Sequence, residues 1–342
     1  MAVTIKELSI YCGLSISAVS KALNGYPDIG EETRQKVMNA AKELGYRPNQ
    51  IARGLKTGKT FNLGVVYKDA SNSGFTHNYF SPVMESFKNE AERHGYEISF
   101  ISADFSANFG SKMSYLEHSR YRGVDGICVV CCDFKDARIK ELAQSDIPLI
   151  SIDQQLENCP CVASKNKEGM QLLTEYVIAH KHSRIAYIYG ETGTIQEMRM
   201  EGFLTAMESH GIAVRKEWLI EGRFHNPQIA RRVVRKLLQR AERPSCILMC
   251  DDYAALGAMH SLEEKKLHIP EDVSIAGYDG VPILQMLKPR LTTIQQNTSI
   301  IGSTAARQLI QIIEGKRKRR AQTTYIDTIL LEGDTVGYGS AK

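Results

Sequence analysis

Several things are missing from this 342-residue chain, and each omission excludes a class of function. No apolar run approaches the ~20 residues that cross a bilayer, so no membrane span is expected. The N-terminus, MAVTIKELSI, has no basic segment followed by an apolar stretch, and it is not read as a secretory signal. The eight cysteines are scattered. Their only clusters are Cys131-Cys132 and Cys159-Pro160-Cys161, and neither has the paired CxxC spacing of a zinc ribbon. They read as reduced thiols of a cytoplasmic protein, with no metal site. No GxSxG, P-loop, HExxH or GxGxxG occurs. The chain is therefore expected to have no catalytic residues, to need no cofactor and not to be an enzyme.

The hydrophobic fraction of 43% is enough for two or three domains with real cores. The net charge of +4 is placed unevenly. Residues 1–59 carry nine Lys and Arg against five Asp and Glu, and the remaining 34 basic and 34 acidic residues cancel. Such asymmetry points to an anionic partner for the N-terminal part.

Residues 1–45 read as three short helices. Thr4 and Glu7 form a capping box, and Leu8 and Cys12 then share a face that Gly13 ends. Ser15 caps a second helix whose buried stripe is Val19, Ala22 and Leu23. Glu31 and Glu32 suit the positive end of a third helix, closed by Gly45. Helix, glycine turn and helix is the helix-turn-helix plan, and it leaves Ile16, Ser17, Ala18 and Lys21 facing out, slim enough for a major groove. A generic three-helix bundle fits the same spacing. Residues 47–60, RPNQIARGLKTGKT, read as a basic linker or as a helix too short to stand alone, weakened further by Gly54.

From Phe61 onward β-rich runs alternate with amphipathic helices: FNLGVVY, YEISFIS, GICVVCC, PLISID, RIAYIYG, WLIEG, CILMC and VSIAGYD, with helices near 80–94, 112–120, 135–144, 166–181, 198–210, 227–240 and 253–265. This is the pattern of βαβ units and parallel sheets. Roughly ten strands exceed a comfortable open sheet, so two sheets are expected. Ligands of such folds sit beyond the carboxyl ends of the strands.

The stretches VTIKELSIYCGLSISAVSKALNG and EETRQKVMNAAKELGYRPNQIARGLKTGKT resemble the N-terminus of the lac-repressor (LacI/GalR) family. Arg199–Phe203 as RxxGF, DDYAALGAM at 251–259, IPEDVSIAGYDG at 269–280 and LTTIQQ at 291–296 resemble its effector-binding core. The resemblance implies an α/β protein: an all-α helix-turn-helix headpiece (1–46), a hinge helix and linker (47–60), and a two-lobed core with parallel sheets (61–342), like a periplasmic binding protein. It implies one lobe at about 61–161 and 293–322 and the other at about 162–292 and 323–342.

By the same resemblance, DNA contacts fall on Thr4, Ser15, Ile16, Ser17, Ala18, Lys21 and Asn24 in the headpiece, and on Asn49, Ala52 and Leu55 in the hinge. Leu55 is the expected minor-groove wedge, since no other large apolar residue follows Ile51 on this segment. Ligand positions fall on Asp69, Tyr79, Phe80, Asp153, Arg199, Phe224, Asp251 and Asp279. Carboxylates and a guanidinium can clamp vicinal hydroxyls, and an aromatic can face a sugar ring. The expected partners are a palindromic double-stranded DNA operator, a small-molecule effector of carbohydrate type and a second copy of the chain. A glycosidase, a transport-type sugar receptor and a regulator controlled by a partner protein are the competing readings. The basic run at 315–320 is either such a docking site or a solvated loop.

Overall fold

In the computed structural model the first helix starts where its backbone donors find acceptors. The Thr4 hydroxyl accepts from the Glu7 N–H at 3.3 Å and the Glu7 carboxylate accepts from the Thr4 N–H at 2.7 Å. Helix α1 (Ile5–Cys12) then runs to Gly13, whose φ of 65° suits glycine. Ser15 accepts from the Ala18 N–H at 3.1 Å and starts α2 (Ile16–Leu23). Helix α3 (Glu31–Glu43) follows. Leu8, Cys12, Val19, Ala22, Val37, Ala40 and Ala41 close one small core. Leu23 is only partly buried and packs on its edge. The structure describes residues 3–47, 54, 58–68, 74–106 and 112–339. They divide into the units Met1–Phe61 and Asn62–Lys342. Asn49, Ala52, Leu55 and Asp69 lie outside the described residues.

The second unit contains two six-stranded sheets. The first consists of β1 (Asn62–Tyr67), β2 (Glu97–Ile101), β3 (Gly126–Val130), β4 (Leu149–Ile152), β5 (Cys161–Ser164) and β11 (Thr323–Ile326), in the order β11-β5-β4-β3-β1-β2. All its pairings are parallel. The second consists of β6 (Ile185–Tyr189), β7 (Leu219–Glu221), β8 (Cys246–Met249), β9 (Ser274–Asp279), β10 (Thr292–Gln296) and β12 (Thr328–Leu331), in the order β12-β10-β9-β8-β6-β7. Here β12 alone is antiparallel, pairing with β10. Residues of β3, β4, β5 and β8 are buried throughout, as strands covered on both faces by helices must be.

The eight strands expected from sequence all form. Strands β5, β10, β11 and β12 and a long helix near the C-terminus were not expected as elements. The lobe boundaries also shift. Strand β5 lies wholly in the first sheet, so that lobe extends beyond 161. Strand β10 belongs to the second sheet and β11 to the first. The chain passes between sheets at 165, 297 and 327, because four- or five-residue strands are placed by their backbone partners and not by local pattern. Two of the crossings are tied together: Lys165 Nζ lies 2.6 Å from Asp327 Oδ1, and the Lys165 N–H donates to the Ile326 carbonyl at 2.9 Å.

The covering helices are α4 (Phe80–Arg93), α5 (Tyr115–Arg122), α6 (Ala137–Gln144), α7 (Asn166–Ala179), α8 (Thr194–Ser209), α9 (Pro227–Leu237), α10 (Asp252–Glu264) and α11 (Thr298–Ile313). Three pairs, α4 with α11, α7 with α8 and α9 with α10, approach to backbone contact through a glycine. A Cβ on Gly302, Gly202 or Gly257 would press against the carbonyl oxygen of Val83, Lys167 or Pro227, respectively. In the basic run at 315–320, Arg319 donates from Nη1 to the Ser145 and Ile147 carbonyls at 2.7 and 3.0 Å, and from Nη2 to that of Ala143. One of its charges is thus fixed against the end of α6.

Candidate functional site

In the headpiece the outward face of α2 presents Ile16, 47% exposed, and Ser17 beside it. Ala18 and Lys21 are half-buried. The Lys21 ammonium pairs with Asp28, so a base or phosphate must compete with that carboxylate. The Asn24 amide donates to the Ser20 carbonyl at 2.6 Å. Thr4 both donates to and accepts from Glu7, and Ser15 accepts from Ala18, so both hydroxyls serve first as helix caps. The free polar and apolar surface of this face therefore belongs to Ile16 and Ser17, with Lys21 held in reserve.

The larger site lies where the carboxyl ends of the two sheets meet, in a cavity of about 580 Å³. From the first sheet it receives His77, Tyr79 and Phe80 after β1, Cys131 to Phe134 after β3, and Asp153 after β4. From the second it receives Glu191 to Gln196 after β6, Phe224 and His225 after β7, Asp279 at the end of β9 and Gln296 at the end of β10. Of the expected ligand positions described by the structure, Tyr79, Phe80, Asp153, Arg199, Phe224 and Asp279 line this one cavity.

Asp251 does not line it. Its carboxylate caps α10 by accepting from the Ala254 N–H at 2.8 Å and also accepts from the His225 N–H at 2.7 Å. Both oxygens are committed to backbone donors, and the residue is fully buried. The expectation of a ligand carboxylate at Asp251 is corrected to a structural N-cap that also holds the His225 loop.

Arg199 is 4% exposed and reaches its partners from the second turn of α8. Its Nε donates to Asn166 Oδ1 and its Nη1 to the Cys250 carbonyl, both at 2.8 Å. Nη2 lies 3.7 Å from Asp279 Oδ1. The guanidinium stacks 3.6 Å from the Tyr278 ring centroid and 5.8 Å from that of Phe224. All these partners belong to the second lobe or to the crossing at its edge, so Arg199 is a strut within one lobe and not between two. Asp279 has a φ of 115°, which turns its carboxylate into the cavity, and it accepts from Gln296 Nε2 at 2.7 Å. From the other lobe Asp153, with φ 68°, accepts from the Tyr79 hydroxyl at 2.9 Å.

The lobes also touch at the mouth. The His77 and His225 ring centroids are 4.1 Å apart, and the Asn78 amide donates to the Tyr253 hydroxyl. His77 Nδ1 accepts from the Tyr79 and Phe80 N–H groups at 3.3 Å, which sets the first turn of α4. Asn166, Glu191, Gln196 and His225 were not singled out from sequence. The strand-end rule alone would have pointed to the three that follow β6 and β7.

Burial pushes the Asp153 carboxyl up to about 7, against the opposing pull of the Tyr79 hydroxyl and Arg199. Burial likewise lifts Asp279 to about 6, opposed by Arg199 and His225. Both values lie above an unfolded aspartate, so the folded core holds protons that the unfolded chain releases. The stability these groups contribute is complete below pH ~4 and falls away as pH rises from there through about 6 and 7. Asp153→Asn should therefore melt close to wild type at pH 4 and above it at pH 8 in ligand-free protein. Each tenfold difference in proton affinity between the folded and unfolded carboxyl is worth about 1.4 kcal/mol of that gap. Parallel melting curves that keep the same spacing at both pH values would contradict this reading.

Two family models match the chain. One, described as bacterial regulatory proteins of the lacI family, covers residues 4–49, and the other, a periplasmic binding protein-like domain, covers 174–336. The HTH-type transcriptional repressor PurR of Pasteurella multocida is 32% identical over 322 residues, which is 93% of this chain and 94% of that protein. That of Erwinia tasmaniensis is 31% identical over 344 residues, 98% of this chain and 97% of its own. Among solved structures, the lac repressor dimer bound to operator and the anti-inducer ONPF aligns with a TM-score of 0.78 at 22% identity, covering 98% of this chain and 100% of that one. A LacI family regulator from Enterococcus faecium with bound ribose aligns at 0.68 and 25% identity, covering 82% and 100%. A helix-turn-helix unit followed by a two-sheet core, and relatives named as repressors over nearly the full length, lead to one conclusion: the chain belongs to the LacI family of bacterial regulatory proteins.

Proposed function

We propose that this DNA-binding transcription regulator is a cytoplasmic repressor that grips a palindromic operator as a homodimer and is switched by a small carbohydrate or carbohydrate derivative in the interlobe cavity. The observation that carries the proposal is the convergence of Arg199 and Asp279 from one lobe with Asp153 and Tyr79 from the other on one cavity. A ligand bridging them contacts both lobes, so its affinity depends on how the lobes are set, and only such differential contacts can shift an equilibrium between states. By linkage, operator DNA changes the affinity for that ligand by the same factor. Carboxylates suit hydroxyl donors, and Phe80 and Phe224 supply apolar faces for a ring. The Enterococcus faecium regulator with bound ribose makes a sugar-sized occupant reasonable.

Two recognition helices of a dimer would enter successive major grooves about one helical turn apart, or a multiple of it. Selection from random duplex DNA, read by fluorescence anisotropy, should enrich a palindrome whose affinity falls steeply with salt. Lys21→Ala should weaken that site by ~1–3 kcal/mol and relax the preference at one symmetric base pair. Enrichment of no sequence at all would overturn the operator reading. For the effector, a thermal-shift screen of mono- and disaccharides, amino sugars and purines is decisive, since a ligand at 100 times its Kd stabilises by about 2.7 kcal/mol.

A further inference from the structure

Helix α8 is 16 residues long and opens onto the cavity. Its N-cap is Gly193, which supplies no side-chain acceptor, and Gly193, Thr194, Ile195 and Gln196 all line the cavity wall. The first-turn N–H groups of a helix have no partner within it, and the helix dipole places positive potential there. That alone describes any uncapped helix.

A second, independent feature points to a ligand. The Gln196 side chain is 4% exposed and faces the same cavity. Its Oε1 accepts from the Gly190 N–H at 3.0 Å and from the Tyr187 hydroxyl at 3.3 Å. Gly190 N can only donate, so the amide orientation is set and the NH2 group must be the other end. That nitrogen, Nε2, is buried without a hydrogen-bond partner. A buried donor without an acceptor is costly, and natural proteins rarely retain one without a use.

The electrostatics select the kind of acceptor. Arg199 stands one turn further along α8. The nearest carboxylate on the loop, Glu191, is already held by Arg223 Nε and the Phe224 N–H, both at 2.8 Å. Glu197 is exposed and does not line the cavity. We propose that the effector carries an oxyanion, a carboxylate or a phosphate, seated on the first turn of α8 with the Gln196 amide as one of its donors. The inference rests on the cavity being the effector site and adds a polarity to it: an acidic end at α8 and a donor-rich end at Asp153 and Asp279.

Calorimetry on the full chain with inorganic phosphate tests the seat directly. Wild type should bind phosphate saturably. Gln196→Glu keeps an acceptor for the Gly190 N–H but replaces the donor by a carboxylate, and it should weaken phosphate about ten- to a hundredfold. Gln196→Met, which removes the donor without adding charge, should weaken it as well. The carboxylate source is tested by gluconate against glucose and the phosphate source by glucose 6-phosphate against glucose, with the acidic member expected to be the tighter. No saturable phosphate binding by wild type overturns the proposal. So does phosphate binding that both Gln196 variants leave unchanged, an adventitious ion only. A neutral sugar that binds and is lost in Arg199→Ala, without any phosphate binding, keeps the cavity as effector site and removes the oxyanion. Phosphate binding indifferent to Arg199 and Gln196 alike would count against both.

Discussion

Arg199→Ala is expected to lose the effector response entirely and to lower the melting temperature of the core. The side chain is almost fully buried, holds Asn166 and the Cys250 carbonyl, stacks on Tyr278 and faces Asp279. Removing one member of a buried ion pair strands the other, at a cost of about 3–5 kcal/mol. Losing a charged donor from the cavity should weaken ligand by ~1.5–3 kcal/mol or more, about 10- to 150-fold. Because every Arg199 partner lies on the second-lobe side, the operator affinity of folded, ligand-free variant should change far less than its ligand affinity. Asp279→Ala separates the two effects, since it leaves the Asn166 and Cys250 contacts intact. It should lose ligand affinity with a smaller fall in melting temperature. An unchanged ligand Kd in both variants would remove these residues from the site.

Gly202→Ala should be among the most damaging single-methyl changes in the chain. The added carbon would press on the Lys167 carbonyl oxygen, with the Gln171 nitrogen and the Lys167 carbonyl carbon both 3.0 Å away. These atoms are backbone, so neither helix can yield by rotating a side chain, and α7 and α8 must separate. Overpacking of this kind costs about 1–3 kcal/mol, occasionally more, and a rigid backbone neighbour puts this site at the upper end. Separation would also carry the first turn of α8, and with it Arg199, away from the opposite lobe. Chemical denaturation should show lower stability, and ligand affinity measured on the remaining folded protein should fall with it. Wild-type stability would mean that the two helices do not meet at backbone contact.

The same glycine explains part of the RxxGF motif. Arginine serves the cavity, glycine permits contact with α7, and Phe203 is fully buried between the helix and the second sheet. The spacing was visible in sequence, and so was its likeness to a family pattern. The reason for the glycine was not, because the atom it avoids lies 35 positions earlier, on another helix.

Periodicity and caps sufficed for the headpiece. Thr4 with Glu7, Ser15 and Gly13 act within four residues of themselves, so the sequence carries both halves of each interaction. The eight strong β-runs and their helices were legible for the same reason. The position of Asp153, Arg199 and Asp279 near strand ends followed from the alternation of elements and the general placement of ligands in such folds. Strands β5, β10, β11 and β12 were not legible as elements. They are four or five residues long and form because β11 finds β5, and β12 finds β10. More than a hundred and fifty positions intervene in the first case and more than thirty in the second.

The carboxylates show the division most clearly. Asp153, Asp251 and Asp279 all stand at strand ends, and in sequence they are equivalent candidates. Tertiary structure assigned them different roles: Asp251 spends its oxygens on the N–H groups of Ala254 and His225, whereas Asp153 and Asp279 turn into the cavity through positive φ. Sequence determined that this chain has a helix-turn-helix unit joined to an α/β core, since those signals are local. Which polar groups remain free for a ligand was decided only by folding, because hydrogen bonds between distant loops consume some donors and acceptors and leave others, such as the Gln196 amide, without a partner.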